Sequence, residues 1–491
     1  METESNRINF EKKAIHDPVH NTINLSEIEI KIIDARAFQR LRNIKQLGLT
    51  SYVFPGADYT RFSHSIGVCH LTGKLYDAYC KAKNRPDDIE KQKYRLAGLL
   101  HDIGHYPFSH AMEDAIKLYV EKSHSQIIRT DSVGFKQFEN PSHPMRYLEH
   151  ESIGREILLN DDEINKILKD NEFKPEEIYP LFTRDGEVKE NITNFISSDP
   201  DADRLDYLLR SAHHIGLPYG STDIEYILRQ IKIDTNGNIC IDPKALRTVD
   251  HFLLCRYFDY SQVIFHKTVA GFEEILKRVI VYLINKNEIK ISPENVKESI
   301  LSGIWYEYDD AYILNLIRIF YRKTDTPDDI KLMMKSIIER KPPKEIVKME
   351  CIAESTKSKR ENFRAKISDL EKLVDGISHQ FNISKSSIFV WNNDTFEITK
   401  VGRMVERSET EEDSDKINQT VRIFNRISER SAPIMEREDS LMNILSNQAL
   451  YSIRLFILFD LDRFNGEKSI ETRTKEIIKF IDEKIPHRDW K

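Results

Sequence analysis

The chain is organised around one stretch, Leu99-Leu100-His101-Asp102-Ile103-Gly104-His105-Tyr106-Pro107-Phe108-Ser109-His110. An apolar run that predicts a buried helix leads into His101 and Asp102. On a helix, His105 lies one turn after His101 and on the same face. Pro107 predicts a break and a new helix start before His110. The stretch therefore predicts a cluster of ionisable side chains where a buried helix ends.

The composition predicts a mainly helical protein with a sizeable core. Hydrophobic residues make up 40% of the 491 residues and charged residues 31%, which excludes wholesale disorder. The 17 Gly and 17 Pro are too few for the many turns of an all-β protein.

Charge and cysteine usage narrow the class further. The net charge of −7 excludes a generally basic nucleic-acid binder, so nucleic acid is not indicated as a partner. The five Cys form no Cys-x-x-Cys pair, which favours reduced thiols and a cytoplasmic protein. No run approaches about 18 apolar residues, so no membrane association is expected.

Periodicity and turn residues predict the main elements. The predicted helices cover residues 34–48, 61–83, 89–103, 107–120, 244–287 and 353–375. A β-hairpin is predicted over residues 231–242, and an alternating pattern from Ser387 to Gly402 predicts a strand. Residues 121–146 are predicted to form a loop, and Glu406 to Asp415 an acidic, flexible segment.

The segment Lys341-Pro342-Pro343-Lys344 predicts a boundary that divides the chain into residues 1–345 and 346–491. The chemistry is expected in the first part, because 14 of the 16 His lie at or before His266. The second part is expected to be an α/β lobe with a structural or oligomerisation role.

A metal site is predicted from His64, His101, Asp102 and Asp203, which give two imidazoles and two carboxylates from three helices. Such ligands suit one divalent ion and do not choose among Mn, Fe, Mg, Zn, Ni and Co. Four protein ligands on an octahedral ion leave room for water and a phosphate oxygen, a layout for metal-assisted hydrolysis. A single buried histidine is more often an ordinary core residue, but this alternative does not account for the whole set.

Other histidines are left for proton transfer, namely His105, His110 and His150, because imidazole titrates near neutrality. Glu113 lies three residues after His110 and on a helix would hold that imidazole in one tautomer. A surface ion pair is the alternative for Glu113.

Three arginines are candidates for phosphate binding, namely Arg61, Arg204 and Arg256. Guanidinium groups match phosphate oxygens in geometry. A surface salt bridge is the alternative for each of them. Arg61 has the best functional claim, because it lies three residues before His64 on the same predicted helix.

Several motifs resemble those of HD-domain phosphohydrolases, and more narrowly of the branch that hydrolyses deoxynucleoside triphosphates (dNTPs). The motifs are Asp17-Pro18-Val19-His20, Phe38-Gln39-Arg40-Leu41-Arg42-Asn43-Ile44-Lys45-Gln46-Leu47-Gly48, Val53-Phe54-Pro55-Gly56-Ala57, Arg61-Phe62-Ser63-His64-Ser65, the opening stretch itself, His150-Glu151 and Asp203-Arg204-Leu205-Asp206-Tyr207. The resemblance implies a mainly α fold, with an HD-domain helical core, small β-hairpins and a mixed α/β C-terminal lobe.

The resemblance also implies roles for individual residues. Water would attack the α-phosphorus of a dNTP and release deoxynucleoside and triphosphate. The metal ligands would be His64, His101, Asp102 and Asp203. The residues near the α-phosphate would be His105, His110, His150 and Glu113, which stands where relatives carry Asp. The phosphates would be held by Arg61, Arg204, Tyr207 and Arg256. The sugar site would be lined by Gln46, Leu47 and Tyr207.

The chain departs from the branch at the sugar site, because Ser211 stands where relatives carry an acidic residue that contacts the 3′-hydroxyl. An allosteric nucleotide site is implied only in part. The residues that fit it are Lys13, His16, Asp34, Gln39 and Arg42. Tyr226 and Asp242 stand where animal members carry Arg. A nucleotide activator and a homo-oligomer, dimer or tetramer, are thus expected partners besides the dNTP.

Two other functions stay open at this point. One is an HD phosphohydrolase that acts on another phosphoester, such as a nucleotide, a cyclic nucleotide or a nucleic-acid end, and Ser211 favours it. The other is a nucleotide-sensing module with a vestigial site. The complete ligand set argues against a sensing module, because a vestigial site would have lost at least one ligand.

Overall fold

The computed structural model describes residues 8–127, 148–182, 194–197, 201–393, 396–398, 420–464 and 467–485. These residues form mainly helices with small sheets, which confirms the predicted fold class. The acidic segment predicted over residues 406–415 and most of the loop predicted over residues 121–146 lie outside them. No helix in these ranges is long and apolar enough to cross a membrane.

The helices up to residue 260 contain or flank the predicted site residues. They are α1 (Glu27–Asp34), α2 (Arg36–Gln39), α3 (Arg61–Lys83), α4 (Asp88–Leu100), α5 (His110–Ile127), α6 (His150–Asn160), α7 (Asp162–Asp170), α8 (Pro175–Ile178), α9 (Asn194–Ser197), α10 (Ala202–Ile215), α11 (Ile224–Arg229) and α12 (Leu246–Asp259). The later helices are α13 (Lys267–Asn285), α14 (Pro293–Leu301), α15 (Asp310–Arg322), α16 (Asp328–Ile338), α17 (Lys357–Phe381), α18 (Leu441–Leu445) and α19 (Glu467–Lys484).

The strands form three small sheets. They are β1 (Lys13–Asp17), β2 (Asn21–Leu25), β3 (Ile231–Ile233), β4 (Ile239–Ile241), β5 (Lys344–Glu354), β6 (Ile388–Asn392), β7 (Phe396–Glu397), β8 (Arg422–Phe424), β9 (Ser431–Pro433) and β10 (Gln448–Ile457). β1 and β2 form a hairpin, β3-β4-β8-β9 form a second sheet, and β10 lies between β5 and β6 in the third and also pairs with β7.

The second sheet joins the two predicted parts of the chain. β3 and β4 form the predicted hairpin, with Gly237 at φ +84° in its turn. β8 then pairs with β4 in parallel, with Ile423 opposite Ile241. The division at residue 345 remains a prediction, and this sheet crosses it.

The C-terminal lobe is an α/β layer. α17 and α19 pack on the sheet of β5, β10 and β6 around a shared apolar core that includes Leu370, Ile453 and Ile477. The strand predicted from Ser387 to Gly402 corresponds to β6 and β7, and residues 399–402 lie outside the described ranges.

The prediction of one continuous helix over residues 244–287 is wrong. α12 ends at Asp259, a π-helical turn covers Tyr260–Ile264, and α13 begins at Lys267 with His266 as its N-cap. A contact from the C-terminal lobe accompanies the break, because Arg454 donates to the carbonyl of Phe265.

The prediction of a helix over residues 34–48 is also wrong beyond the first turns of that segment. The chain forms α2, then a 3-10 turn over Arg40–Asn43, and then irregular structure. Arg40 is buried, and its guanidinium donates to the carbonyls of His105 (2.8 Å) and Tyr308 (2.9 Å). Tertiary hydrogen bonds of a buried cation thus fix this segment.

A buried ion pair fixes the helix that leads to His101. Leu96, Leu99 and Leu100 of α4 are fully buried, and Arg95 on the same helix donates to both carboxylate oxygens of Glu29 in α1, at 2.7 and 2.8 Å. Burial disfavours the charge of Glu29, but Arg95 holds the pKa of this carboxyl below its ordinary value. The pair therefore sets where α4 lies relative to α1.

We expect Glu29→Gln to lower the free energy of unfolding by about 3–5 kcal/mol, because Arg95 would keep a buried charge without its counter-ion. Urea unfolding of the full chain measures the loss. Glu27→Gln is the matched control, since the Glu27–Lys31 pair is exposed and its removal should change the free energy of unfolding little. Equal effects of the two variants would contradict this account of α4.

Candidate metal centre and active site

The four predicted metal ligands lie together at the meeting point of α3, α4 and α10. Nε2 of His64 lies 3.0 Å from Oδ1 of Asp203 and 3.7 Å from Oδ2 of Asp102. Nε2 of His101 lies 3.3 Å from Oδ1 of Asp102. His64, His101 and Asp102 each offer an atom within 4.8 Å of the others, and all three are buried.

The outer nitrogens of both imidazoles are fixed by hydrogen bonds. Nδ1 of His64 lies 2.7 Å from Oδ2 of Asp206, and Nδ1 of His101 lies 2.8 Å from the carbonyl of Gly98. Both partners are acceptors, so each Nδ1 donates its N–H to its partner and each Nε2 faces the centre, where its lone pair would be available to a bound cation. Neither Nε2 has a hydrogen-bond partner among the described residues. Two buried lone pairs beside two carboxylates fit a divalent cation.

Asp206 is the centre of a buried network that also holds the β1–β2 hairpin. It accepts hydrogen bonds from Arg210 (2.8 and 2.9 Å) and lies 2.7 Å from Nε2 of His20. Arg210 also donates to Asp17 at 2.9 Å. Burial disfavours the charge of Asp206, but Arg210 holds its pKa well below the ordinary value. Asp206 is part of a quoted motif, but the sequence did not indicate that it fixes His64.

Small residues permit these close approaches. A Cβ on Gly67 would lie 1.8 Å from Oδ1 of Asp206, and a Cβ on Gly104 would lie 2.1 Å from the carbonyl of His150. Gly104 therefore lets the turn after Asp102 approach α6 closely enough to bring His150 to the site.

The opening stretch differs from the prediction in one respect. α4 ends at Leu100, so His105 does not lie on the same helix as His101. Instead, the backbone N–H of His105 donates to the carbonyl of Asp102 at 3.1 Å, and this turn brings Nε2 of His105 to 3.2 Å from Oδ1 of Asp102. The predicted proximity is therefore found, although a turn and not a helix produces it.

Phe108 and Ser109 end this turn in the left-handed region, at φ +57° and +49°. Such backbone persists only when its surroundings hold it. Phe108 donates its N–H to Asp310 at 2.7 Å, and the hydroxyl of Ser109 accepts from Arg61 at 2.7 Å. Asp310 and Arg40 are thus supporting residues that the sequence did not indicate.

His105, His110, His150 and Glu113 lie together beside Asp102. The rings of His105 and His150 are stacked 3.6 Å apart. Glu113 is buried and accepts from Nδ1 of His110 (2.8 Å) and of His150 (3.2 Å). Glu113 is therefore not a surface ion pair. Burial opposes the charged form of His150, but Glu113 raises the pKa of this imidazole.

Arg61 contacts the centre directly. Its guanidinium donates to Oδ2 of Asp102 at 2.5 Å, and the side chain is buried. The exposed salt bridge that was the alternative for Arg61 is therefore excluded.

Arg204, which follows Asp203 in the chain, and Arg256 of α12 form a second cationic group. Burial and the positive charge of Arg256 lower the pKa of Arg204 to about 10. Asp201 pairs with Arg204 at 3.3 Å. Burial and the nearby Tyr260 raise the pKa of Tyr207, which therefore lies in the same group. Arg204 and Arg256 are therefore near enough for their charges to interact.

The predicted sugar residues Gln46 and Leu47 lie in the loop before α3. The N–H of Gln46 donates to the carbonyl of Tyr59 at 3.0 Å, and its buried Oε1 has no hydrogen-bond partner among the described residues. Leu47 is half-buried beside it.

Asp259 brings a carboxylate to Ser211. The Ser211 hydroxyl donates to Oδ1 of Asp259 at 2.6 Å, and both residues are buried. Oδ2 of Asp259 has no hydrogen-bond partner in the described part of the chain. Burial raises the pKa of Asp259 to about 6. Asp203, Tyr207 and Ser211 recur every four residues, so they lie along one face of α10.

The predicted allosteric residues lie mostly on the surface. Lys13, His16, Asp34 and Arg42 are exposed, and Gln39 is half-buried. Among the described contacts, one joins two of them, from Arg42 to Oε1 of Gln39 at 2.8 Å. Asp242 pairs with Arg426, and Tyr226 packs at the edge of an apolar cluster. This group remains a prediction.

Comparison with known proteins identifies part of the chain. Residues 61–208, which include all four predicted metal ligands, match the family model of the HD domain. This segment is an HD domain.

Relatives and solved structures extend this result. The uncharacterized protein YwfO of Bacillus subtilis is 34% identical over 272 residues, which is 55% of each chain. The deoxynucleoside triphosphate triphosphohydrolase SAMHD1 of Homo sapiens is 31% identical over 261 residues, which is 48% of this chain and 38% of that protein. The chain thus spans about half the length, or less, of these two relatives.

A hypothetical protein of Aquifex aeolicus has the same fold, with a TM-score of 0.65 over 95% of this chain and 99% of that chain. Because the two are 23% identical, the likeness concerns the fold of the HD domain and its extensions alone.

We expect Asp206→Asn to weaken binding of Mn²⁺ about 10- to 100-fold, because the Nδ1 proton of His64 would lose its charged acceptor. Isothermal titration calorimetry of the metal-free protein measures this affinity. Asp250→Asn is the matched control, since Asp250 is a buried carboxylate that pairs with Ser440. An unchanged Mn²⁺ affinity in a folded Asp206→Asn protein would exclude this role of Asp206.

Proposed function

We propose that this protein is a metal-dependent phosphohydrolase that cleaves dNTPs into deoxynucleoside and triphosphate by attack of water at the α-phosphorus. The proposal depends above all on one observation. Two buried imidazoles, His64 and His101, have their Nδ1 atoms fixed by acceptors and their Nε2 atoms close to the carboxylates of Asp203 and Asp102, respectively. A divalent cation held there would act as a Lewis acid, lowering the pKa of water and drawing charge from phosphorus.

The neighbouring histidines suit the proton transfer that this cleavage needs. Cleavage breaks the bond between the α-phosphorus and the 5′-oxygen, so a proton must reach that oxygen. Glu113 accepts from Nδ1 of both His110 and His150 and leaves Nε2 of each ring free to carry or give a proton. The side chain of His110 is 71% exposed, so it is open to a ligand. His105 stacks on His150 and keeps that ring in place.

The arginines suit the charge of a triphosphate. Arg61 donates a hydrogen bond to Asp102, one of the predicted metal ligands. Arg204, which follows Asp203 in the chain, forms a cationic pair with Arg256. A polyphosphate tail would bring negative charge to Arg204 and Arg256 and relieve the repulsion between them. This arrangement favours a nucleoside triphosphate over a monoester.

Asp259 provides the carboxylate that is missing at Ser211. The carboxylate that relatives carry at this position is provided here from α12, within 2.6 Å of the Ser211 hydroxyl. Its free Oδ2 suits a sugar hydroxyl, with Tyr207, Gln46 and Leu47 as the other predicted sugar residues. The feature that favoured another phosphoester is thereby weakened.

The relatives support the same substrate class. Proteins named deoxynucleoside triphosphate triphosphohydrolase SAMHD1, or its homolog, occur in Homo sapiens, Mus musculus and Dictyostelium discoideum at 30–31% identity. Nucleotide activation and homo-oligomer formation belong to the proposal as further expectations.

The full chain should hydrolyse at least one dNTP when Mn²⁺, Mg²⁺, Fe²⁺ or Co²⁺ is supplied. Each metal is tested with the four dNTPs alone and in mixtures, and chromatography follows deoxynucleoside and triphosphate. His101→Ala should abolish turnover because it removes a metal ligand, and His379→Ala, an exposed histidine of α17, should retain it. No triphosphate under any combination would refute the proposal.

Asp259→Asn should lower the ratio of kcat/KM for dNTPs to kcat/KM for 2′,3′-dideoxynucleoside triphosphates about 10- to 100-fold. The reason is that a hydrogen bond to a charged acceptor would be lost. Parallel kinetics on both substrates measure the ratio, with Asp250→Asn as the control. A ratio that matches that of the unaltered protein would remove Asp259 from the sugar site.

A further inference from the structure

Arg256 lies against a pair of aromatic rings, one of which belongs to the C-terminal lobe. Its Cζ is 4.9 Å from the ring centre of Tyr260 and 4.7 Å from that of Phe396. The two rings are stacked, with centroids 4.6 Å apart and planes at 26°. The guanidinium also donates to the carbonyl of Glu397 at 3.3 Å. Strand β7, which consists of Phe396 and Glu397, thus provides two of the three contacts of Arg256, namely the Phe396 ring and the Glu397 carbonyl.

These contacts hold a cation without neutralising it. The described contacts of Arg256 are with two rings and one carbonyl oxygen, and the buried carboxylate of Asp259 is near enough for its charge to interact with Arg256. Ring faces attract a guanidinium but leave its charge in place. The positive charge of Arg256 also lowers the pKa of Arg204.

The lobe also holds the backbone that carries Tyr260. The π-helical turn Tyr260–Ile264 ends at Phe265, whose ring lies 5.2 Å from Phe396 and 5.5 Å from Trp391 of β6. Arg454 of β10 donates to the Phe265 carbonyl and stacks on Trp391 at 4.9 Å. Three strands of the lobe sheet thus contact the turn next to Arg256.

We propose that the C-terminal lobe forms part of the substrate site. Strand β7 positions Arg256 toward the phosphate tail of the substrate, and Phe396 is a positioning residue that acts through Arg256. This inference rests on the proposed function, since it takes Arg256 as a ligand of the triphosphate. It gives the lobe a role in substrate binding beyond structure or oligomer formation.

The alternative is that Phe396 only fills space between the lobes. Space filling needs volume, whereas holding a guanidinium needs the electrons of a ring face. Phe396→Leu keeps most of the volume and removes the ring, and Phe396→Tyr keeps the ring. The two variants therefore separate the explanations.

The experiment compares Phe396→Leu, Phe396→Tyr and Arg256→Ala with the unaltered full chain. Phe363→Leu is the matched control, because Phe363 is a buried phenylalanine of α17 that packs on Tyr451 within the lobe. Affinity for inorganic triphosphate in excess Mg²⁺ is measured by calorimetry, KM and kcat by steady-state kinetics, and folding by thermal unfolding.

We expect Phe396→Leu to weaken triphosphate binding and raise KM about 3- to 10-fold, with kcat within about twofold. Arg256→Ala should have a larger effect of the same kind, and its combination with Phe396→Leu should add little. Phe396→Tyr and Phe363→Leu should bind triphosphate as the unaltered chain does.

Two results would overturn the inference and leave the proposed function standing. In one, Arg256→Ala weakens triphosphate binding and Phe396→Leu does not. In the other, Phe363→Leu or Phe396→Tyr weakens it as much as Phe396→Leu. An Arg256→Ala protein with unchanged triphosphate affinity would instead remove Arg256 from the proposed substrate site, and the inference with it.

Discussion

The short contact between Asp206 and Nδ1 of His64 is the constraint on which the site depends. This carboxylate fixes the His64 imidazole, accepts hydrogen bonds from Nε and Nη2 of the buried Arg210, and contacts His20 in the turn of the β1–β2 hairpin. A buried carboxylate is stable only when such partners satisfy it. The same contacts that make Asp206 tolerable in the core therefore also determine where His64 points.

The second constraint is steric and belongs to the turn after Asp102. Gly104 permits backbone contact with α6, and the left-handed Phe108 and Ser109 redirect the chain into α5. The predicted metal ligands and the predicted proton-transfer groups thereby lie on the two sides of Asp102. Arg61 and Arg40 stabilise this turn from opposite ends, one on the Asp102 carboxylate and one on the His105 carbonyl.

The sequence was most informative where one local pattern carried both structure and chemistry. The apolar face of α4 and the His-Asp pair predicted the helix and two ligands, and the Asn-Gly turn predicted the β3–β4 hairpin. Prediction failed where a distant residue decides the outcome. The break after Asp259 accompanies a contact from Arg454, and Asp259 meets Ser211 from 48 residues away. No local pattern reports such contacts.

The separation of the partners along the chain also has a consequence for assembly. His64 and Asp206 are 142 residues apart, Asp17 and Arg210 are 193 apart, and Arg40 and the Tyr308 carbonyl are 268 apart. Closing such long loops costs entropy before any contact forms, so we expect these pairings to form after the local helices. The proposed cation site would then be complete only when the whole topology is in place, and ion binding there would be a marker of completed folding.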